Sequence, residues 1–193
     1  MAWIELPDPS TAQGSLADAF AAGEARYGQV LQTWRAVGMV EGAFEAYLPY
    51  LSAVVGPGRV PIRVKDLSAL RVAVLNRCRY TISHRVASAR RNDLDERDIL
   101  AMGDPAAAEL DEPLAAAVAF TDAVTLSPPT TSYLDVPQAV APDVLVRCKA
   151  VFDEHQIAEL TLSISLWNAL ARFHRVLGLD LDMPPPPPEL EPR

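Results

Sequence analysis

The chain reads as an all-α helical bundle, and three observations predict it. Apolar residues recur three and four positions apart over most of its length, with hardly any alternation of period two. Glycine (9) and aromatic residues (7%) are modest, while alanine and leucine are abundant. Glycine, proline and an Asn-Asp turn divide the periodic stretches into segments of helix length. With 193 residues, 50% of them hydrophobic, one domain with a substantial core is expected. Its limits are set at 15–180, between an extended N-terminal arm over 1–14 and a proline-rich tail over 181–193.

The arm is rich in Pro, Ser and Thr and carries Trp3, which suits an extended segment packing on a neighbour. From Ser15 a short helix and then a longer one are expected, on the apolar positions Leu16, Ala19 and Phe20, then Tyr27, Val30, Leu31 and Trp34, closing at Gly38. Met39 to Val55 continues the pattern and Gly-Pro-Gly at 56–58 stops it; its Phe44, Tyr47 and Tyr50 suit a plain core better than a pocket wall. Arg63 to Leu75 forms the next helix, and Asn76 is expected to cap its partner, Cys78 to Arg91. A short helix from Asp95 to Met102 and another from Pro113 to Leu126 follow. Beyond a Ser-Pro-Pro loop, helices are expected from Pro137 to Phe152 and from Glu154 to Leu177, the last ended by Gly178. The proline run that follows is expected to leave the core as a solvated polyproline II tail.

Charge and composition exclude whole classes of function. A net charge of -8 argues against a nucleic-acid partner, which needs a basic surface to release counterions. No apolar run reaches the ~20 residues of a spanning helix and the start lacks a basic leader, so a soluble cytoplasmic protein without a membrane partner is expected. Cys78 and Cys148 form no C-x-x-C, and His84, His155 and His174 form no ligand motif. Without a glycine-rich phosphate loop either, no metal and no cofactor is expected.

Chemistry concentrates in Asp66 to Arg90. Cys78 falls in the first turn of a helix, where free amides and the macrodipole favour a thiolate, with Arg77 and Arg79 on either side. Asp66 is a candidate base, and His84 a candidate proton relay. Thr81, one turn beyond Cys78, offers a hydroxyl. Arg85, a step of seven, returns to the face of Cys78 and can hold a thiolate or an anionic substrate, whereas His84 lies roughly a third of a turn away. Cys148 reads as a small buried hydrophobe, His155 and His174 as helix-surface histidines, and Asn168 and Arg172 as structural.

These residues resemble the core motif of the alkylhydroperoxidase D-like and carboxymuconolactone decarboxylase family, in which an acid stands about three helical turns ahead of a C-x-Y-C-x-x-x-H or x-x-Y-E-W-x-x-H segment. Asp66, Cys78 and Tyr80 are in step with it; Asp66 replaces the usual Glu, Thr81 the second Cys or Glu, and Arg85 the usual His. The resemblance extends over most of 40–180 and includes the closing helix around Asn168 and Arg172. It implies the family's helical fold, homo-oligomers, and a small-molecule substrate. The activity it implies is a cofactor-free thiol oxidoreductase of the peroxidase type. In it Cys78 attacks peroxide oxygen, Asp66 and His84 move protons, Tyr80, Thr81 and Arg85 support, and an outside thiol serves as reductant. The alternatives are a carboxymuconolactone decarboxylase-like lyase using His84, Arg85 and Asp66 on a small carboxylated substrate, and a member without catalysis.

Overall fold

A computed structural model describes residues 2–126 and 139–191. The Ser-Pro-Pro loop and the expected helix start at Pro137 lie outside these residues. Nine α-helices and no strand occur among the described residues, as the periodicity predicts. They are α1 (Gly14–Tyr27), α2 (Gln32–Val37), α3 (Ala43–Val55), α4 (Ile62–Leu75), α5 (Arg79–Arg91), α6 (Glu96–Ala101), α7 (Glu112–Leu126), α8 (Pro142–Val151) and α9 (Glu154–Leu177).

The bundle is built around α4, which packs against α5, α7 and α9 and buries Val64 to Leu70 together with Val72 and Ala73. A helix covered on all sides needs no polar face, but every charge on it needs a partner. Lys65 meets Glu159 of α9 and donates to the carbonyls of Gly56 at 2.8 Å and Val54 at 3.4 Å. Arg71 forks onto Asp122 of α7 at 2.7 and 2.8 Å, the bidentate geometry that makes such pairs strong. One core lies between α3, α4, α7, α8 and α9 around Leu160, Ile164 and Trp167, and contains Cys148. A second, around Leu67, Leu70, Ile82 and Ile99, joins α4 to α5, α6 and α7.

Several boundaries differ from expectation. The longer helix comes first and the shorter second, because Gly28 at φ 74° ends α1 in a left-handed cap and splits the Tyr27 to Trp34 pattern. Asn76 closes α4 and does not open α5. Its amide turns back to the Val72 carbonyl and across to Asn168 Oδ1, both at 2.9 Å, and Cys78 itself takes the N-cap position of α5. Between them Arg77 adopts φ 51°, and Arg175 of α9 holds the turn through the Asn76 carbonyl at 3.0 Å. α9 begins with a reciprocal capping box, Gln156 N to Asp153 Oδ1 at 2.8 Å and Asp153 N to Gln156 Oε1 at 3.0 Å.

Both termini depart further. The arm packs on its own chain, with Trp3 N donating to the Leu177 carbonyl at 3.3 Å and Leu6 beneath it. The proline-rich segment is not a solvated tail. Ser83 donates to the Pro184 carbonyl at 2.9 Å, Glu191 pairs with Arg79 at 3.0 Å, and Leu190, 1% exposed, completes the core of α4 to α7. The segment passes so close to Gly103 that a Cβ there would stand 2.5 Å from the Glu189 carbonyl. A proline run is already extended and stiff, so laying it along a groove costs little chain entropy. No helix among the described residues is long and apolar enough to cross a membrane.

Candidate active site

A cavity of about 100 Å³ lies between α2, α3, α5 and α9. α5 lines it with Tyr80, Thr81, His84, Arg85 and Arg91, positions whose spacing spreads them over one broad face of the helix. α2 adds Thr33 and Trp34, α3 adds Tyr47 and Leu51, and α9 adds Trp167, Leu170 and His174. Met183 from the C-terminal segment also lines it, with Tyr27 and Leu31. An engineered apolar cavity of about 150 Å³ accepts benzene, so this space is on the scale of one small ring.

On one wall Tyr80 and His84, one turn apart, lie ring to ring at 4.5 Å. The Tyr80 hydroxyl donates to Asp182 in the C-terminal segment, whose Oδ2 also receives Gln32 N at 3.0 Å and lies 3.4 Å from His84 Nε2. Burial pushes the His84 pKa down, outweighing the raising effect of the Asp182 carboxylate, so the imidazole is neutral at neutral pH. Burial, then the charge of Asp182, pushes the Tyr80 phenol far up, and burial raises Tyr47 to about 12.

On the wall behind, Cys78 Sγ lies 3.1 Å from Thr81 Oγ1, which lies 2.9 Å from His174 Nδ1, and His174 Nε2 lies 2.8 Å from Thr33 Oγ1. A neutral imidazole donates from one nitrogen and accepts at the other, so the chain runs in one direction at a time, from thiol to Thr33 or the reverse. Burial, then the charge of His84, holds the His174 pKa at about 3, which keeps this ring neutral. Cys78 is 1% exposed and does not line the cavity; Thr81 stands between.

Arg85 is nearly buried, its guanidinium stacked over Trp167 at 4.2 Å. Its counter-charge is Asp66, reached at 3.4 Å, and the same carboxylate accepts from Asn92 at 2.7 Å and Ser88 at 3.3 Å. The Arg85 Nε–H, also buried, has no acceptor among the described residues. Burial lowers the Arg85 pKa while Asp66 raises it, and a guanidinium stays charged throughout.

The structure thus brings Tyr80, Thr81, His84 and Arg85 to one cavity and sets Asp66 and Cys78 behind it, in separate places. Asp66 bonds to the far end of α5 and Cys78 to Thr81; no hydrogen bond joins the two among the described residues. The flanking arginines point outward, with Arg77 exposed and Arg79 paired with Glu191. His84 faces the cavity despite its offset from the family position, because the cavity is wide enough to take both it and Arg85. His174 is not a surface histidine: at 3% exposed it continues the buried stripe Leu160, Ile164, Trp167, Leu170 and Ala171, a spacing that marks it as inward. Tyr47 lines the cavity, while Phe44 packs in the core against Phe20 and Trp34 and Tyr50 is exposed. Nothing local in the sequence marks Asp182. Cys148 is buried in core, which raises its thiol pKa. Among the described residues no three of His, Cys, Asp and Glu come together as a metal site requires.

Residues 41–123 match the model of the carboxymuconolactone decarboxylase family. No curated protein matches the sequence. Among solved structures, a putative antioxidant defence protein AhpD of unknown function from Agrobacterium tumefaciens is 21% identical, with a TM-score of 0.66 over 76% of this chain and 94% of that one. An uncharacterised peroxidase-related protein with an alkylhydroperoxidase AhpD core, from Ralstonia eutropha, is 12% identical, with a TM-score of 0.77 over 98% and 94%. The debrominase Bmp8, in a complex with 2,3,4-tribromopyrrole, is 16% identical, with a TM-score of 0.75 over 94% of each chain. Its segment 41–123 is thus similar to the carboxymuconolactone decarboxylase family, and its fold is that of the alkylhydroperoxidase D-like proteins.

Proposed function

We propose that the cavity performs cofactor-free acid–base chemistry on a small, planar, carboxylated substrate, in the manner of a carboxymuconolactone decarboxylase-like lyase. The observation that carries this reading is the buried Arg85 Nε–H, a charged donor with no acceptor among the described residues, beside a neutral imidazole in the same cavity. A buried donor without a partner costs free energy that an anion in the cavity recovers. In this reading Arg85, helped by Arg91, binds the carboxylate, and Trp34 and Trp167 flank the substrate plane. His84 takes a proton from the substrate and returns it at another atom; where carbon dioxide leaves, the electron pair of the broken C–C bond stays on the substrate carbon, which takes up a proton from solvent. The debrominase neighbour, which holds a brominated pyrrole, is a precedent for a small ring in this fold.

Two arms test the reading. Benzoate, as a probe of the anion site, should bind by calorimetry, and Arg85→Met should weaken it at least tenfold. A panel of small unsaturated lactone and 3-oxo carboxylates should show carbon dioxide release or deuterium uptake that falls about 10²- to 10⁴-fold in His84→Gln. Absence of benzoate binding at millimolar concentration sinks the proposal.

A second reading rests on the contact between Cys78 and Thr81. Cys78 then acts as a single thiol that reduces peroxide and is regenerated by an outside thiol, with Thr81 and His174 carrying its proton. Peroxide consumption that depends on added dithiothreitol and disappears in Cys78→Ser, but not in Cys148→Ser, would favour it over the first. Thr81→Cys, which sets a second sulfur next to the first, should then form an intrachain disulfide on oxidation.

A further inference from the structure

Asp66, the candidate base that the sequence offers, is committed elsewhere. Its oxygens serve Arg85, Ser88 and Asn92. The acid that does reach the cavity wall comes from the opposite end of the chain. The Asp182 side chain is 2% exposed, and a single oxygen, Oδ2, accepts from Tyr80 Oη and Gln32 N and lies 3.4 Å from His84 Nε2, a buried nitrogen with no hydrogen-bond partner among the described residues. Its neighbour Met183 is itself part of the wall. The segment that carries it is fixed on both sides, by the buried Leu179 before it and by Pro184 and Leu190 after it.

We infer that Asp182 is the positioning carboxylate of this site, delivered by the docked C-terminal segment to hold Tyr80 and His84 in working orientation. This rests on the acid–base reading of His84 given above. A carboxylate facing one nitrogen of a neutral imidazole keeps the proton on that nitrogen. With Nε2–H turned to Asp182, the lone pair resides on Nδ1, and that nitrogen takes the substrate proton. The imidazolium formed in that step is then stabilised by the carboxylate. Tyr80, donating to the same oxygen, packs its ring on His84 and limits how far the imidazole can swing. The other charged or titratable groups acting on His84 are Arg85 and Arg91 of α5 and His174 of α9. Both arginines disfavour imidazolium, so Asp182 is the one group in this set that favours it.

The test needs no substrate. In long-range ¹⁵N–¹H correlation spectra of the full wild-type chain, neutral His84 should be predominantly the Nε2–H tautomer. A predominance of Nδ1–H, or an even mixture, overturns the inference. In Asp182→Asn that preference should relax and the His84 titration midpoint should move further down, because a group that raises it is gone; Asp182→Glu should restore both. Glu191→Gln, on the same segment but paired with Arg79, should leave His84 as in the wild type. An unchanged His84 in folded Asp182→Asn, or an equal shift in Glu191→Gln, defeats the assignment. Should Asp182→Asn fail to fold, a predominance of Nδ1–H in the wild type still overturns the inference, and Asp182→Glu against Glu191→Gln still reads the carboxylate's effect on the His84 midpoint. Failure of benzoate to bind removes the proposed reaction and leaves these spectra untouched, so the two ideas fail separately.

Discussion

Asp66 and Asp182 both bury a carboxylate against α5, and they differ in what they face. Asp66 lies on the neighbouring helix of the same hairpin and meets a full cation, Arg85, with Ser88 and Asn92 adding neutral donors. Asp182 lies 102 residues along the chain from Tyr80 and meets a phenol, an amide and a neutral imidazole. One acid neutralises a charge that folding has buried, and the other orients groups that carry none. The first kind of contact is mainly a matter of stability, the second of geometry, and the two should respond differently to substitution.

The largest effect is expected at the hairpin. Asp66→Ala leaves Arg85 charged, buried and unpaired, which should cost about 3–5 kcal/mol in urea unfolding. Replacing both residues, as Asp66→Ala with Arg85→Met, should recover much of that loss, since the pair is costly to break and cheap to replace by apolar groups. An Asp66→Ala chain as stable as wild type would mean that Arg85 needs no counter-charge, and the contrast between the two acids would collapse.

His174 sharpens the comparison, being a buried titratable group bonded to two threonines and to no carboxylate among the described residues. Its folded pKa of about 3 lies below the unfolded value of 6.5, so the unfolded state binds the proton first. The stability it permits is therefore complete above pH 6.5 and is lost as pH falls toward 3, on the order of 3 kcal/mol by pH 4. A Tm profile against pH should show this acid limb, and His174→Gln, which still reaches both threonines, should flatten it.

Asp182→Ala removes bonds to neutral partners only and should cost about 1–3 kcal/mol, less than Asp66→Ala, by the same urea measurement. A loss equal to or greater than that of Asp66→Ala would make Asp182 a structural anchor first. At the bottom of the scale stands Glu112, an exposed acid paired with Arg147 at 2.8 Å. Glu112→Ala should leave the unfolding midpoint unchanged within error, because solvent screens such pairs.

Much of the site was legible because it lies on one helix. Tyr80, Thr81, His84 and Arg85 fall within six positions of one another, and the 3.6-residue repeat alone brings them to adjoining faces. Their common cavity did not follow from the repeat, since a cavity requires walls from α2, α3 and α9. His174 was misread because its polarity outweighed its place in the apolar stripe of α9. The surroundings of Cys78 differ from expectation: its flanking arginines point outward, and it takes the N-cap of α5 because Asn76 closes α4.

By itself the sequence determined the helical class, most of the helices, the course of α9 from Glu154 to Gly178, and the set of polar residues that α5 presents. These are consequences of spacing and of local backbone chemistry, which act within a few residues. Only the tertiary structure decided which acid serves which base, and that the proline-rich end belongs to the site. A docked extended segment has no periodicity of its own; Leu190 and Asp182 acquire their meaning from a groove made by distant helices, and contact between residues 102 positions apart leaves no mark on either stretch alone.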